Sequence, residues 1–145
     1  GVIGSNSLFG ISTSLQNDRA VVGASNDNGV GAVYVFDRSG STWSQTARLT
    51  GSNPRYIQQL GASVSLWGEF IAVGAPETGV FNSVGKIIIF RLMAGSWREV
   101  RRIAIDTADT NVLHGFSVSL RTLGLVSGDP FSSANGVVRV YTIDP

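Results

Sequence analysis

His114 is the only histidine in a chain of 145 residues that contains no cysteine. Any histidine-assisted nucleophile, and any histidine metal site, must therefore run through this single imidazole. No Gly-x-Ser-x-Gly elbow accompanies it. The positions equivalent to it in the repeat described below carry Phe9 and Leu60, so the ring is expected to fill a semi-buried turn rather than to react. Asp106 and Asp109 lie close together in a polar loop, where such carboxylates cap a turn. A glycosidase pair would have to stand apart across a sugar, and nothing in the sequence supports that. The stretch from Gly79 to Lys86 misses the phosphate-binding loop by one residue and has Ile87 where a hydroxyl must hold magnesium. Ser25-Asn26-Asp27-Asn28-Gly29 resembles a calcium loop but offers one carboxylate, with no acidic residue following in the required span. No catalytic residues, no metal ligands and no cofactor are expected, and the chain is read as a non-enzyme.

The remaining candidates are for binding. Arg98, Arg101 and Arg102 form the one basic cluster. Strand alternation would put Arg98 and Arg102 on one face and Arg101 on the other. They either protect a sheet edge with charge or dock an acidic partner. Tyr56, Val80, Phe81 and Phe131 are apolar or aromatic residues in loops, where exposed hydrophobes mark contacts. Tyr56, Phe81 and Trp67 could instead stack on a pyranose ring.

These residues must be positioned by strands. With 43% hydrophobic and 14% charged residues, the chain can bury a single-domain core and is not disordered. Eleven basic against ten acidic residues leave +1, so no overall field gathers nucleic acid or anionic lipid. No apolar run approaches the roughly 18 residues that would cross a bilayer. The absence of thiols leaves the redox compartment open. The chain opens on Gly1 with neither methionine nor a basic-then-apolar leader, as expected of a processed protein or a piece of a longer one.

The organising phrase is Gly115-Phe-Ser-Val-Ser-Leu120, which also occurs as Gly61-Ala-Ser-Val-Ser-Leu66 and Gly10-Ile-Ser-Thr-Ser-Leu15. Thirteen residues after each opening glycine comes another, at Gly23, Gly74 and Gly128. Between and after them run short alternating or β-branched segments bounded by Gly, Asn, Asp and Ser, the pattern of antiparallel strands and tight turns. The first repeat gives strands at Gly10–Leu15, Arg19–Ala24, Gly31–Phe36 and Trp43–Thr50. The second gives Gly61–Leu66, Phe70–Ala75, Gly85–Phe90 and Trp97–Ile105. The third gives Gly115–Leu120, Leu123–Ser127 and Gly136–Tyr141, without an outer strand. The third strands are nearly continuous apolar runs, expected to be buried on both faces. A period of 51 to 54 residues with four strands per unit is the signature of a β-propeller blade. The fold class is therefore all-β: a propeller segment of about three four-stranded antiparallel blades, the third lacking its outer strand. Repeats fall at approximately 8–53, 59–107 and 113–145, with residues 1–6 matching the tail of an outer strand.

The Phe9-Gly10 pair, Gly74-Ala75-Pro76 and Gly31-Ala-Val-Tyr-Val-Phe36 resemble FG-GAP repeats, the family that includes the seven-bladed heads of integrin α subunits and some surface proteins and lectins. Leu60 and His114 replace the phenylalanine, and Ser25 and Asp129 alter the Gly-Ala-Pro. Many members place an Asp-x-Asp-x-Asp-Gly calcium loop between the first two strands, whereas the connections here are Gln16-Asn17-Asp18, Trp67-Gly68-Glu69 and Arg121-Thr122, each with at most one carboxylate. Folding is accordingly expected to be independent of calcium. The resemblance implies a protein-binding or structural module of a cell-surface or extracellular assembly. The alternatives are a lectin that holds a glycan, and the accessory propeller of a larger enzyme. The loops from second to third strand and from fourth to next first strand share one end of a propeller and should carry recognition.

Three blades are too few, since propellers close with about four to eight. The end blades should each expose an apolar face, to be covered by further blades, by a second copy or by other chains. Residues 1–6 supply only part of an outer strand, which weighs against a symmetric dimer.

Overall fold

The computed structural model describes residues 5–53, 58–77, 84–105, 112–122, 124–132 and 135–143. Three antiparallel sheets contain all eleven strands of this set. The first runs β1 (Phe9–Gln16), β2 (Arg19–Ala24), β3 (Ala32–Ser39), β4 (Thr42–Leu49). The second runs β5 (Ser63–Trp67), β6 (Phe70–Ala75), β7 (Lys86–Met93), β8 (Ser96–Ile103). The third has β9 (Ser117–Arg121), β10 (Gly124–Asp129) and β11 (Val137–Thr142). Each strand pairs with its sequence neighbour, and the first strands lie side by side, β1 against β5 and β5 against β9. These are three blades of a β-propeller, the third with three strands among the described residues. A single 3-10 turn at Asp27–Gly29 is the one helical element in this set.

The local reasons are those of hairpins. β1 and β2 are joined by Asn17-Asp18, and β5 and β6 by Gly68-Glu69. Asn17 (φ 53°) and Gly68 (φ 57°) take the left-handed backbone that a two-residue hairpin with right-handed twist requires. Such turns leave no room for a calcium loop.

The two faces of the middle blade are both covered. Val21, Val33, Val35 and Leu49 of the first blade meet Leu60, Leu66, Ile71, Val73, Ala75, Ile88 and Phe90. On the other side, Ala72, Ile87, Ile89 and Ile103 pack with Leu120, Leu125 and Ile143. Continuous apolar runs are what a strand between two blades needs, and β7 is buried from Ile87 to Phe90. β11 departs from that expectation. Val138 and Val140 are 70% and 73% exposed, because no described sheet lies on their side.

Two short hydrogen bonds lock each pair of blades. Ser12 Oγ donates to the Gly61 carbonyl (2.8 Å) and Ser14 Oγ accepts from the Leu66 N–H (3.0 Å). Ser63 and Ser65 do the same to the Gly115 carbonyl (2.9 Å) and the Leu120 N–H (2.9 Å). Close approach explains the invariant spacing of the glycines. A Cβ on Gly23 would stand 2.0 Å from the Gly61 oxygen, and one on Gly74 1.9 Å from the Gly115 oxygen.

Candidate functional site

The end of the molecule that carries the loops from second to third strand is built on two buried carboxylates. Asp27, inside the loop that resembles a calcium site, is 1% exposed. Its Oδ2 accepts from the Tyr34 hydroxyl (2.9 Å) and from Arg48 Nη2 (2.6 Å). The carboxylate is thus turned inward onto a guanidinium that would repel a cation. Among the described residues no three His, Cys, Asp or Glu side chains gather as a metal group.

Asp129 is the second. His114, wholly buried rather than semi-buried, places Nδ1 3.1 Å from both Asp129 oxygens and Nε2 3.3 Å from the Tyr141 hydroxyl. Ser127 Oγ (3.0 Å) and the Gly115 N–H (3.2 Å) also donate to Asp129, and Arg139 forms an ion pair with it. Burial alone would raise the Asp129 pKa, but donation from His114 leads the terms that bring it below the ordinary carboxylate value. Ser, His and Asp come together here, yet the hydroxyl bonds the carboxylate instead of the imidazole, and all three side chains are sealed from solvent. The cluster has no nucleophile facing a base and no route for a substrate. It holds the third blade against the second. Sequence reasoning treated His114 and Asp129 as separate tolerable changes. The signal was that both fall in one repeat, at the positions of Leu60 and Ala75, which share one apolar cluster in the repeat before.

The sequence-predicted binding residues are not assembled into one site. Phe131 is 64% exposed at the loop end and meets Phe116, itself 47% exposed, edge to face at 6.2 Å. Tyr56, Val80 and Phe81 lie outside the described residues, as do Asp106 and Asp109. Trp67 is half-buried, and Arg121 sits over its ring at 4.5 Å, so that face is not open to a sugar. The arginines divide differently from simple alternation. A bulge where the register shifts between Ile89 and Phe90 leaves Arg98 opposite Arg91, Arg101 opposite Ile89 and Arg102 opposite Ile88. Arg98 and Arg101 therefore share a face and Arg102 takes the other, because one extra residue inverts the parity of a strand. Arg102 is held by Glu99 (2.8 Å) and Ser52 (3.2 Å), and Arg101 Nη1 caps the Thr142 carbonyl (3.1 Å). These two bind their own fold.

The largest cleft, about 530 Å3, opens at the other end, among the β1–β2 and β3–β4 turns. Its charges compensate one another, Arg19 with Asp37 (2.6 Å) and Arg38 with Asp18 (2.6 Å). No described helix is long and apolar enough to cross a membrane.

No curated protein matches the chain. Residues 4–36 match the FG-GAP repeat family, a span running through the first three strands of the first blade, so the chain carries an FG-GAP repeat there and builds two more blades on the same strand order.

Proposed function

We propose that the chain is a non-enzymatic binding module that recognises a protein partner, in a cell-surface or extracellular assembly, through the loop end of its blades. The observation that carries this reading is the Phe116–Phe131 pair. Two large rings stand about half to two-thirds exposed on a framework whose buried positions are otherwise filled by aliphatic side chains. Aromatic residues are costly to leave in water and are enriched where interfaces concentrate their energy. A repeat matched to FG-GAP supplies the rigid frame on which such loops vary. A protein is preferred to a glycan because the Trp67 face is occupied by Arg121.

The test begins with proximity labelling on the surface of cells that display the chain, followed by titration of each purified candidate against wild type, Phe131→Ala and Phe116→Ala. Loss of about tenfold or more in affinity is expected for Phe131→Ala, the size of a moderate interface anchor. Unchanged affinity for every partner in both variants would defeat the reading. Specific signals on a glycan array that vanish in Phe131→Ala would replace it with the lectin alternative.

A further inference from the structure

The contacts that lock blade to blade leave one complete unpaired set at each end. On the outer face of the third blade, Ser117 and Ser119 occupy the positions of the locking serines Ser12 and Ser14, and of Ser63 and Ser65. Gly128 and Gly136 occupy the positions of Gly23 and Gly31, and of Gly74 and Gly85. In the inner blades these glycines are required by the next blade. A Cβ on Gly31 would meet the Leu60 oxygen at 2.3 Å, and one on Gly85 the His114 oxygen at 2.4 Å. At Gly128 and Gly136 no following blade presses, and the nearest atoms belong to Ser117 and Pro130 of the same blade. An open groove of about 450 Å3 lies there, lined by Phe116, Ser117, Gly128, Gly136 and Val138. Beside it, Val126, Val138 and Val140 are 40%, 70% and 73% exposed, while their equivalents Val21, Val33, Val35, Ala72, Ile87 and Ile89 are all 0% exposed.

The first blade presents the other half of the lock. Gly10 has the φ of +92° seen at Gly61, but nothing lies within 4 Å of a Cβ placed on it, whereas Gly61 is pressed against Ala32 and Gly23. Leu15 is 67% exposed, and its equivalents Leu66 and Leu120 are 5% and 4% exposed.

We propose that these two faces are made for each other in a second copy of the chain, the third blade of one copy seating the first blade of its partner. Ser117 Oγ then donates to the partner's Gly10 carbonyl, and Ser119 Oγ accepts from the partner's Leu15 N–H. The Phe9-Gly10 turn fills the groove over Gly128 and Gly136, as Leu60-Gly61 and His114-Gly115 fill theirs. The locks lie on the first, second and third strands of each blade, so an outer strand on the third blade is not needed to form them. Two such contacts between two copies close a ring of six blades, inside the range in which propellers close. The pairing is head-to-tail, so it joins different surfaces of the two copies. It uses sheet faces and does not rest on the loop reading above.

Light scattering and sedimentation of residues 1–145 at tens of micromolar test it. The expected result is twice the chain mass of 15.3 kDa, falling to monomer on dilution. Val138→Asp and Leu15→Glu, both at exposed positions where the single copy loses nothing, should each give folded monomers by circular dichroism. Phe131→Ala should leave the mass unchanged. A wild type that stays monomeric overturns the proposal, as does a mass that climbs without limit. A dimer that survives either charge variant also overturns it, since it would join like faces.

Discussion

The two interfaces inside this molecule perform the same task with different chemistry. Between the first and second blades, Leu60 and Ala75 belong to a cluster made entirely of apolar side chains. Between the second and third, the same two positions hold His114 and Asp129, tied to Ser127, Arg139 and Tyr141. The apolar version tolerates approximate fit, since dispersion and burial are non-directional. The polar version is all-or-none: every partner must be present, because an unpaired buried ion costs more than the pair contributes. The difference teaches that blade geometry is set by backbone locks common to both interfaces, while the filling is exchangeable provided it changes as a pair.

The comparison breaks most sharply at Asp129. Asp129→Ala strands a buried His114 and should cost about 3 to 5 kcal/mol in urea unfolding. His114→Leu combined with Asp129→Ala copies the apolar interface into the polar one and should recover at least about 1 to 3 kcal/mol relative to the sum of the single variants. Purely additive losses would mean that the two side chains do not act together.

A leucine series sharpens the contrast between covered and open faces. Leu66→Ala and Leu120→Ala should each cost about 2 to 5 kcal/mol as cavities in a packed seam. Leu15→Ala, at the same repeat position, should change stability by less than about 0.5 kcal/mol when measured at dilutions where copies are apart. A large loss at Leu15 under those conditions would show that the first blade's face is covered within one chain.

Acidification gives the smallest effect. The folded pKa of Asp129 is depressed, so its stabilising contribution is present above the ordinary value of 3.8 and fades as the pH falls from there through the folded value. Asp37, held down first by Arg19, and Glu99, where Ser52 and Arg102 outweigh burial, behave in the same sense. Unfolding followed from pH 5 to pH 2 should therefore show a decline that is shallower, but not abolished, in the His114→Leu, Asp129→Ala variant, at about 1.4 kcal/mol per unit of pKa depression removed. Identical pH profiles would place the acid sensitivity elsewhere.

Much of the frame was legible in the sequence. β2 and β6 run over the residues anticipated, and the other strands agree within a few positions, because period-two patterning and turn residues act over short range. The candidate site was far less legible. Phe131 is exposed as expected, yet Trp67 is covered by Arg121 from another blade, 54 residues away. The faces of Arg98 and Arg101 depended on a bulge that no composition signal marks.

What the sequence determined by itself is the repeat: three opening glycines, paired serines two residues apart, and glycines at a fixed distance, from which blade type and strand order follow. Each of these acts through a hairpin or a backbone contact repeated in every unit, so three copies make the pattern readable. The tertiary structure alone decided that His114 and Asp129 form one buried unit, that Asp27 turns inward onto Arg48, and that β11 is open where β3 and β7 are closed. These outcomes depend on which side chains meet across blades and on which sheet has a neighbour. Burial is a property of the neighbour, and the same Val or Leu is core or surface according to whether another blade arrives.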